Sequence, residues 1–361
     1  MTKLVFAHQL RGIAALLIVI THYFGVYYGA QAVVAQITAS PDLHLAAAGW
    51  VRYMDFPLFK GPFGVAVFFL ISGFVIPFSL RKNSASGFLL ARALRIYPTY
   101  IACLAIGLLA VTLSSRYWNV PFAPDWLQMA ANAGLVHNLL GIGTFDTINW
   151  TLAIEIKFYL LAAVCAPALL RSKPLVLAAI AAAVIGLNLL PAAAALSTDL
   201  NYILFMLIGV LFYQHYQGLI GTARLAIGAV LLLGAFLLGW RLGTQHDQVP
   251  VLAEYYVYAL LTFGLCYALR DRFRPLRVLD FFADISYPLY AVHPLVGYTL
   301  IKILMHRGLP FGAAVSIALA CAITLAWALH KTVETASSNY GKKLSAQLAG
   351  VYKQTAPDGA V

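Results

Sequence analysis

Charge is what this chain lacks. Only 10% of its 361 residues are Asp, Glu, Lys or Arg, against roughly 25% in a soluble globular domain. With 62% of residues hydrophobic, that scarcity excludes a water-soluble fold and leaves an integral membrane protein. Cysteine is nearly as sparse. Cys103, Cys165, Cys266 and Cys321 each sit in an apolar run, with no CxxC pair and no metal-ligand spacing. They read as small buried apolar residues, and no metal site is expected. No appended soluble domain, low-complexity linker or clear internal repeat is expected from these residues. Acidic residues are the scarcer charge: 13 Asp and Glu against 24 Lys and Arg give a formal +11. In a soluble protein that balance would suggest nucleic acid. In a membrane protein, cytoplasmic loops and anionic lipids account for it, so no nucleic-acid partner is expected.

A membrane span needs roughly 20 mostly apolar residues. The hydropathy pattern predicts about ten: 10–30, 62–80, 97–115, 148–170, 174–193, 200–216, 223–241, 251–269, 283–304 and 311–330. The shortest connection is "PAAAALSTD", between the fifth and sixth. With the N-terminus inside, seventeen of the 24 Lys and Arg fall on the cytoplasmic side and six outside, with Lys157 inside a span. That asymmetry predicts two cytoplasmic termini. The opening segment also imitates a signal peptide, with Lys3, Arg11, an apolar run and the small residues of "GAQA" at 29–32. It is taken as a retained first helix. The expected organisation is all-α: one multi-span membrane domain over 1–335 with an intramembrane cavity, then a short polar cytoplasmic tail over 336–361. The outer loops, 31–61 and 116–147, hold Trp, Tyr, Pro and Asp and are candidates to line an entrance.

Against this background the polar groups inside spans stand out, because such groups are costly in hydrocarbon. In "LRGIAALLIVITHYF" (10–24), Arg11 and His22 are eleven residues apart. At 100° per residue that is three turns plus about 20°, so the two share a helix face ~16 Å apart. In "LLARALRIYPTY" (89–100), Arg92 and Arg95 share a face and can grip phosphates bidentately. In "INWTLAIEIKFYLLA" (148–162), Glu155 and Tyr159 are one turn apart, whereas Lys157 lies 200° round from Glu155 and is not its natural intrahelical partner. In "ADISYPLYAVHPLVGY" (283–298), Ser286 and His293 share a face, and Pro288 and Pro294 favour a kinked or broken helix of the kind that often marks a binding site. Ser72 and Gly73 lie mid-span in "GVAVFFLISGFVI" (64–76). Each cluster also has a structural reading as an orientation anchor, ion pair or close helix contact. Together they suit an event linking a cytosolic anionic ligand to something at or beyond the membrane midplane. Two classes fit: an enzyme, or a proton-coupled transporter or flippase of lipid-linked saccharides.

These stretches resemble the acyltransferase-3 family of membrane acyltransferases, which includes bacterial polysaccharide and lipopolysaccharide O-acetyltransferases. "RGIAALLIVITH" resembles the family's Arg-x10-His first helix, and "FFLISGFVI" its Phe-Phe-x-x-Ser-Gly-Phe helix. "RALRIYP" is similar to its Arg-x-x-Arg loop with the following proline. "WTLAIEIKFY" resembles Trp-Ser-Leu-x-x-Glu-x-x-Phe-Tyr with Thr151 in the serine position, and "SYPLYAVH" the late Ser-Tyr-x-x-Tyr-x-x-His element. The five occur in family order over nearly the whole chain. Some members carry an added extracytoplasmic hydrolase-like domain, which these 361 residues do not contain. The resemblance implies O-acylation, with acyl-CoA (by family default acetyl-CoA) as cytoplasmic co-substrate and no bound cofactor. It implies a glycan or lipid-linked sugar hydroxyl as acceptor, in the plasma (bacterial inner) membrane. His22 is then the expected general base, with Glu155 or another buried group setting its tautomer. Arg11, Arg92 and Arg95 would bind the donor phosphates, the pantetheine arm running inward along the first helix. Ser72, Trp150, Tyr159, Ser286, Tyr287 and His293 would support the cavity.

Overall fold

A computed structural model describes residues 4–47, 49–54 and 61–355. Lys3 and Lys60, counted in the charge asymmetry, and 356–361 of the expected tail lie outside the described residues. So do 55–60 of the first outer loop. Among the described residues there are helices and turns and no strand. In chain order the helices are α1 (Val5–Gly29), α2 (Gln31–Ile37), α3 (Gly61–Leu80), α4 (Ala85–Trp118), α5 (Trp126–Ala133), α6 (Asn149–Val164), α7 (Ala166–Arg171), α8 (Pro174–Leu187), α9 (Pro191–Tyr216), α10 (Thr222–Leu242), α11 (Val249–Ala268), α12 (Arg277–Asp284), α13 (Ser286–His306), α14 (Phe311–Leu329) and α15 (Thr335–Thr355). α1 contains a π-helical stretch at Thr21–Val26, and another at His330–Glu334 joins α14 to α15.

Among the described residues eight helices, rather than the expected about ten, are individually long and apolar enough to cross a membrane: α1, α3, α4, α9, α10, α11, α13 and α14 with its continuation. The other two expected spans are shorter. The 148–170 segment stops at Cys165, because Pro167 lacks the amide that would continue the ladder and instead sits in the first turn of α7. The 174–193 segment ends at Leu187, and α9 begins at Pro191, well before the expected residue 200.

Two further elements differ from expectation. α4 runs unbroken through Pro98 and includes Arg92 and Arg95. α13 is also unbroken: Pro288 lies in its first turn, where no amide is needed, and the break falls at Ile285 instead. The polar tail is helical through Thr355, and Ser345 Oγ donates to Asn83 Oδ1 at 2.6 Å.

The chain forms two compact units, each discontinuous in sequence. The first comprises residues 1–68, 99–152 and 254–332. In it α13 packs along α14, and α1 packs on α12 and α13. Gly12 makes the α1–α12 approach possible: a Cβ there would meet the Ala283 amide nitrogen at 2.7 Å. The second comprises 69–98, 153–253 and 333–361. Its centre is α9, buried at nearly every position from Asn201 to Gln214 and packed on α8 and α10.

A buried polar network closes the start of α6. The Asp146 side chain accepts from the amides of Ile148 and Asn149 at 2.9 and 2.8 Å, satisfying donors that the first turn leaves open. Asn132 Oδ1 accepts from the Phe145 amide at 2.9 Å and from Asn149 Nδ2. Burial pushes the Asp146 carboxyl up from 3.8 to about 6, with the two amides opposing the shift. The folded state therefore holds this proton more tightly than the unfolded chain. That contribution to stability is complete below the unfolded value and is lost as pH rises through about 6. Asp146→Asn keeps an acceptor oxygen and removes the buried charge. It should melt above the wild type beyond about pH 6, by ~1–3 kcal/mol, and match it in acid. Thermal melts across that range check this, and a variant melting below wild type at about pH 8 would contradict it.

Candidate active site

His22 is the second residue of the π-helical stretch in α1. The α-helical segment before it runs from Val5 to Ile20 and carries Arg11. π-Turns recur at functional positions because the widened turn re-aims its side chains. Here His22 Nδ1 lies 2.8 Å from His293 Nε2 of α13. The expected partner of the His22 ring was Glu155 or another buried group, and the group found is His293. His293 is fully buried, and its Nδ1 lies 2.9 Å from both the Leu289 and Tyr290 carbonyl oxygens. His22 is only half-buried.

Close approach of α1 and α13 creates this pair. The Tyr23 hydroxyl donates to the His293 carbonyl at 3.0 Å. Its phenol occupies the space over Gly297, where any Cβ would overlap the Tyr23 ring. Around the pair lie Tyr298, 6.2 Å from the His22 ring, and Tyr290, 6.2 Å from the His293 ring. The Tyr298 hydroxyl is enclosed and has no hydrogen-bond partner among the described residues. Tyr290 shares a 2.8 Å hydrogen bond with the hydroxyl of Thr151. Further along, Tyr27 of α1 and Gln31 of α2 line a small open pocket with Asp42 and Lys302. Lys302 Nζ donates to the Pro41 carbonyl at 2.6 Å.

The remaining candidates sort as follows. Arg11 is half-buried on α1, and Trp150 and Tyr287 are half-buried at the starts of α6 and α13. Ser286 donates its hydroxyl to the Ala283 carbonyl at 2.8 Å, a local turn at the start of α13. In the second unit, Glu155 Oε1 accepts from Ser72 Oγ at 2.8 Å and from the Tyr159 hydroxyl at 2.5 Å. The Arg92 guanidinium stands 5.6 Å from the ring centres of both Tyr159 and Phe88, and Arg95 is half-buried one turn on. Lys157 pairs with Asp199 of α9 at 2.9 Å, in line with its position away from Glu155 on α6.

The family's model, described as an acyltransferase domain (Acyl_transf_3), matches residues 5–331. The chain belongs to the acyltransferase-3 family. Among curated proteins it is 31% identical over 126 residues to Nodulation protein 10 of Rhizobium leguminosarum bv. viciae, covering 28% of this chain and 32% of that protein. It is 34% identical over 106 residues to Acyltransferase MdmB of Streptomyces mycarofaciens, covering 28% of this chain and 27% of that protein. The chain thus spans about a third or less of each relative's length in these matches. No solved structure matches it.

Within this family member, sequence reasoning missed Tyr23, Tyr290 and Tyr298. Tyr23 adjoins His22, and Tyr290 is the second tyrosine of "SYPLYAVH". Tyr298 carries no signal beyond its place in an apolar run. Gly297→Ala should displace the Tyr23 ring and destabilise the first unit by ~1–3 kcal/mol, as overpacking does. A thermal melt unchanged by this substitution would contradict the packing described.

Proposed function

We propose that this protein is a membrane O-acyltransferase that moves an acyl group, acetyl in the simplest case, from cytoplasmic acyl-CoA to a hydroxyl of a cell-surface or lipid-linked glycan. Residence in a bacterial plasma membrane is part of the same reading. The observation that carries it is the half-buried His22, hydrogen-bonded through Nδ1 to His293, within a chain that matches the acyltransferase-3 family from residue 5 to 331.

In this mechanism His22 accepts the proton of the acceptor hydroxyl as its oxygen attacks the thioester carbonyl. The tetrahedral intermediate collapses, the carbon–sulfur bond breaks, and the His22 imidazolium returns the proton to the departing CoA thiolate. Arg11, Arg92 and Arg95 bind donor phosphates, a task suited to the fixed guanidinium fork. Glu155 takes a supporting role: with Ser72 and Tyr159 on one carboxylate oxygen, it holds the Tyr159 ring against which Arg92 packs.

The test uses purified protein in lipid, labelled acetyl-CoA and candidate glycans. Label transfer with matching release of free CoA is the expected result. Movement of a lipid-linked saccharide across the bilayer without chemistry would replace this reading with the transporter. His22→Ala should lower transfer by at least ~100-fold while the protein remains folded in the membrane, and wild-type activity in that variant removes His22 from the mechanism. Arg92→Ala and Arg95→Ala should each raise the KM for acyl-CoA by roughly 10- to 100-fold, the worth of a charge-assisted hydrogen bond. Unchanged donor KM in both would exclude them from phosphate binding.

A further inference from the structure

A backbone carbonyl has lone pairs and no proton, so a nitrogen at hydrogen-bond distance from it must donate. His293 Nδ1 lies 2.9 Å from two carbonyls, those of Leu289 and Tyr290, and therefore carries a hydrogen. The ring is fully enclosed, and its partners among the described residues are those carbonyls, His22, Tyr23 and Tyr290, none of them an anion. An unpaired imidazolium in such a place is strongly disfavoured, so the ring is neutral and has one N–H. Its Nε2 is then an acceptor. The donor of the 2.8 Å hydrogen bond between the two histidines is His22 Nδ1, which leaves the His22 lone pair on Nε2.

The second carbonyl is available for a reason written in the sequence. In a regular α-helix the amide of residue 294 would bond to the carbonyl of residue 290. Position 294 is proline, inside α13, and has no amide hydrogen. The Tyr290 carbonyl therefore lacks its helical donor, and the His293 ring supplies one.

We infer that His293 locks His22 in the Nδ1–H tautomer and that Pro294, which offers the Tyr290 carbonyl no helical amide, anchors His293 for this task. Both are positioning residues: they act through His22 and set which of its nitrogens can take a proton. The chain carbonyl–His293–His22 does the orienting that a buried carboxylate does for the base histidine of serine hydrolases. It does so with neutral groups, which suits a site inside hydrocarbon, where an added anion is expensive. The consequence for catalysis rests on His22 being the base of the proposed transfer, whereas the tautomer does not.

The experiment is nitrogen-15 NMR on the full chain, labelled at histidine and reconstituted in lipid bilayers, at a pH where the His22 ring is neutral. His22→Gln assigns the signals. The wild type should show His22 protonated at Nδ1 and bare at Nε2. His293→Leu should release it to a mixture of tautomers and lower kcat by ~100-fold, with little change in the KM for acyl-CoA. His293→Gln places a carboxamide oxygen where it accepts from Nδ1–H and should retain most of the lock. Pro294→Ala returns an amide to the Tyr290 carbonyl, adds a helical hydrogen bond and should fold at least as well as wild type. It should loosen the lock in the same direction as His293→Leu, with a smaller loss of kcat. A wild-type His22 protonated mainly at Nε2, or a tautomer unmoved in both His293→Leu and Pro294→Ala, overturns the inference. If His293→Leu fails to fold, the Gln and Ala variants carry the test. A locked tautomer in a protein without transferase activity would uphold the lock and remove the acyl-transfer reading, so the two failures are distinguishable.

Discussion

The hydrogen bond from His22 to His293 is the contact on which the rest of the candidate site depends. It joins the first helix to one near the end of the chain, 271 residues apart in sequence. It exists only because α1 and α13 approach closely, with the Tyr23 ring lying over the bare Cα of Gly297. Its direction follows from the Leu289 and Tyr290 carbonyls, to which the other His293 ring nitrogen must donate. A packing glycine, a π-turn and a helix proline, each a minor departure from ideal helix, combine to present one histidine nitrogen.

Hydrocarbon offers no water to satisfy a polar group, so membrane-embedded polar side chains find partners within the protein. The pairs seen here follow that constraint. Lys157 meets Asp199, Glu155 is held by Ser72 and Tyr159, and Lys302 caps the Pro41 carbonyl. His22 and His293 form one hydrogen-bonded set in the first unit. Ser72, Glu155, Tyr159 and Arg92 form another in the second. Ser286 is spent on a local turn. The enclosed Tyr298 hydroxyl beside His22 is one of several buried polar groups without a hydrogen-bond partner among the described residues.

Much of this was legible in the sequence. Scarce charge and apolar runs determined an all-helical membrane protein, and helical spacing separated Lys157 from Glu155 and put Glu155 next to Tyr159. The motifs identified the family. Helix ends were less legible: Pro167 stops a span that hydropathy alone carries through, whereas Pro98 and Pro294 stop nothing. Whether a proline breaks a helix depends on who else can satisfy the freed carbonyl, and that neighbour is set by packing. The same reason limits the site. Local sequence determined which residue types were available, their order and which shared a helix face, because these follow from 100° per residue. Only the tertiary structure decided that His293 faces His22. That pairing depends on the approach of two helices distant in sequence, and periodicity within either helix carries no information about which neighbour it will meet.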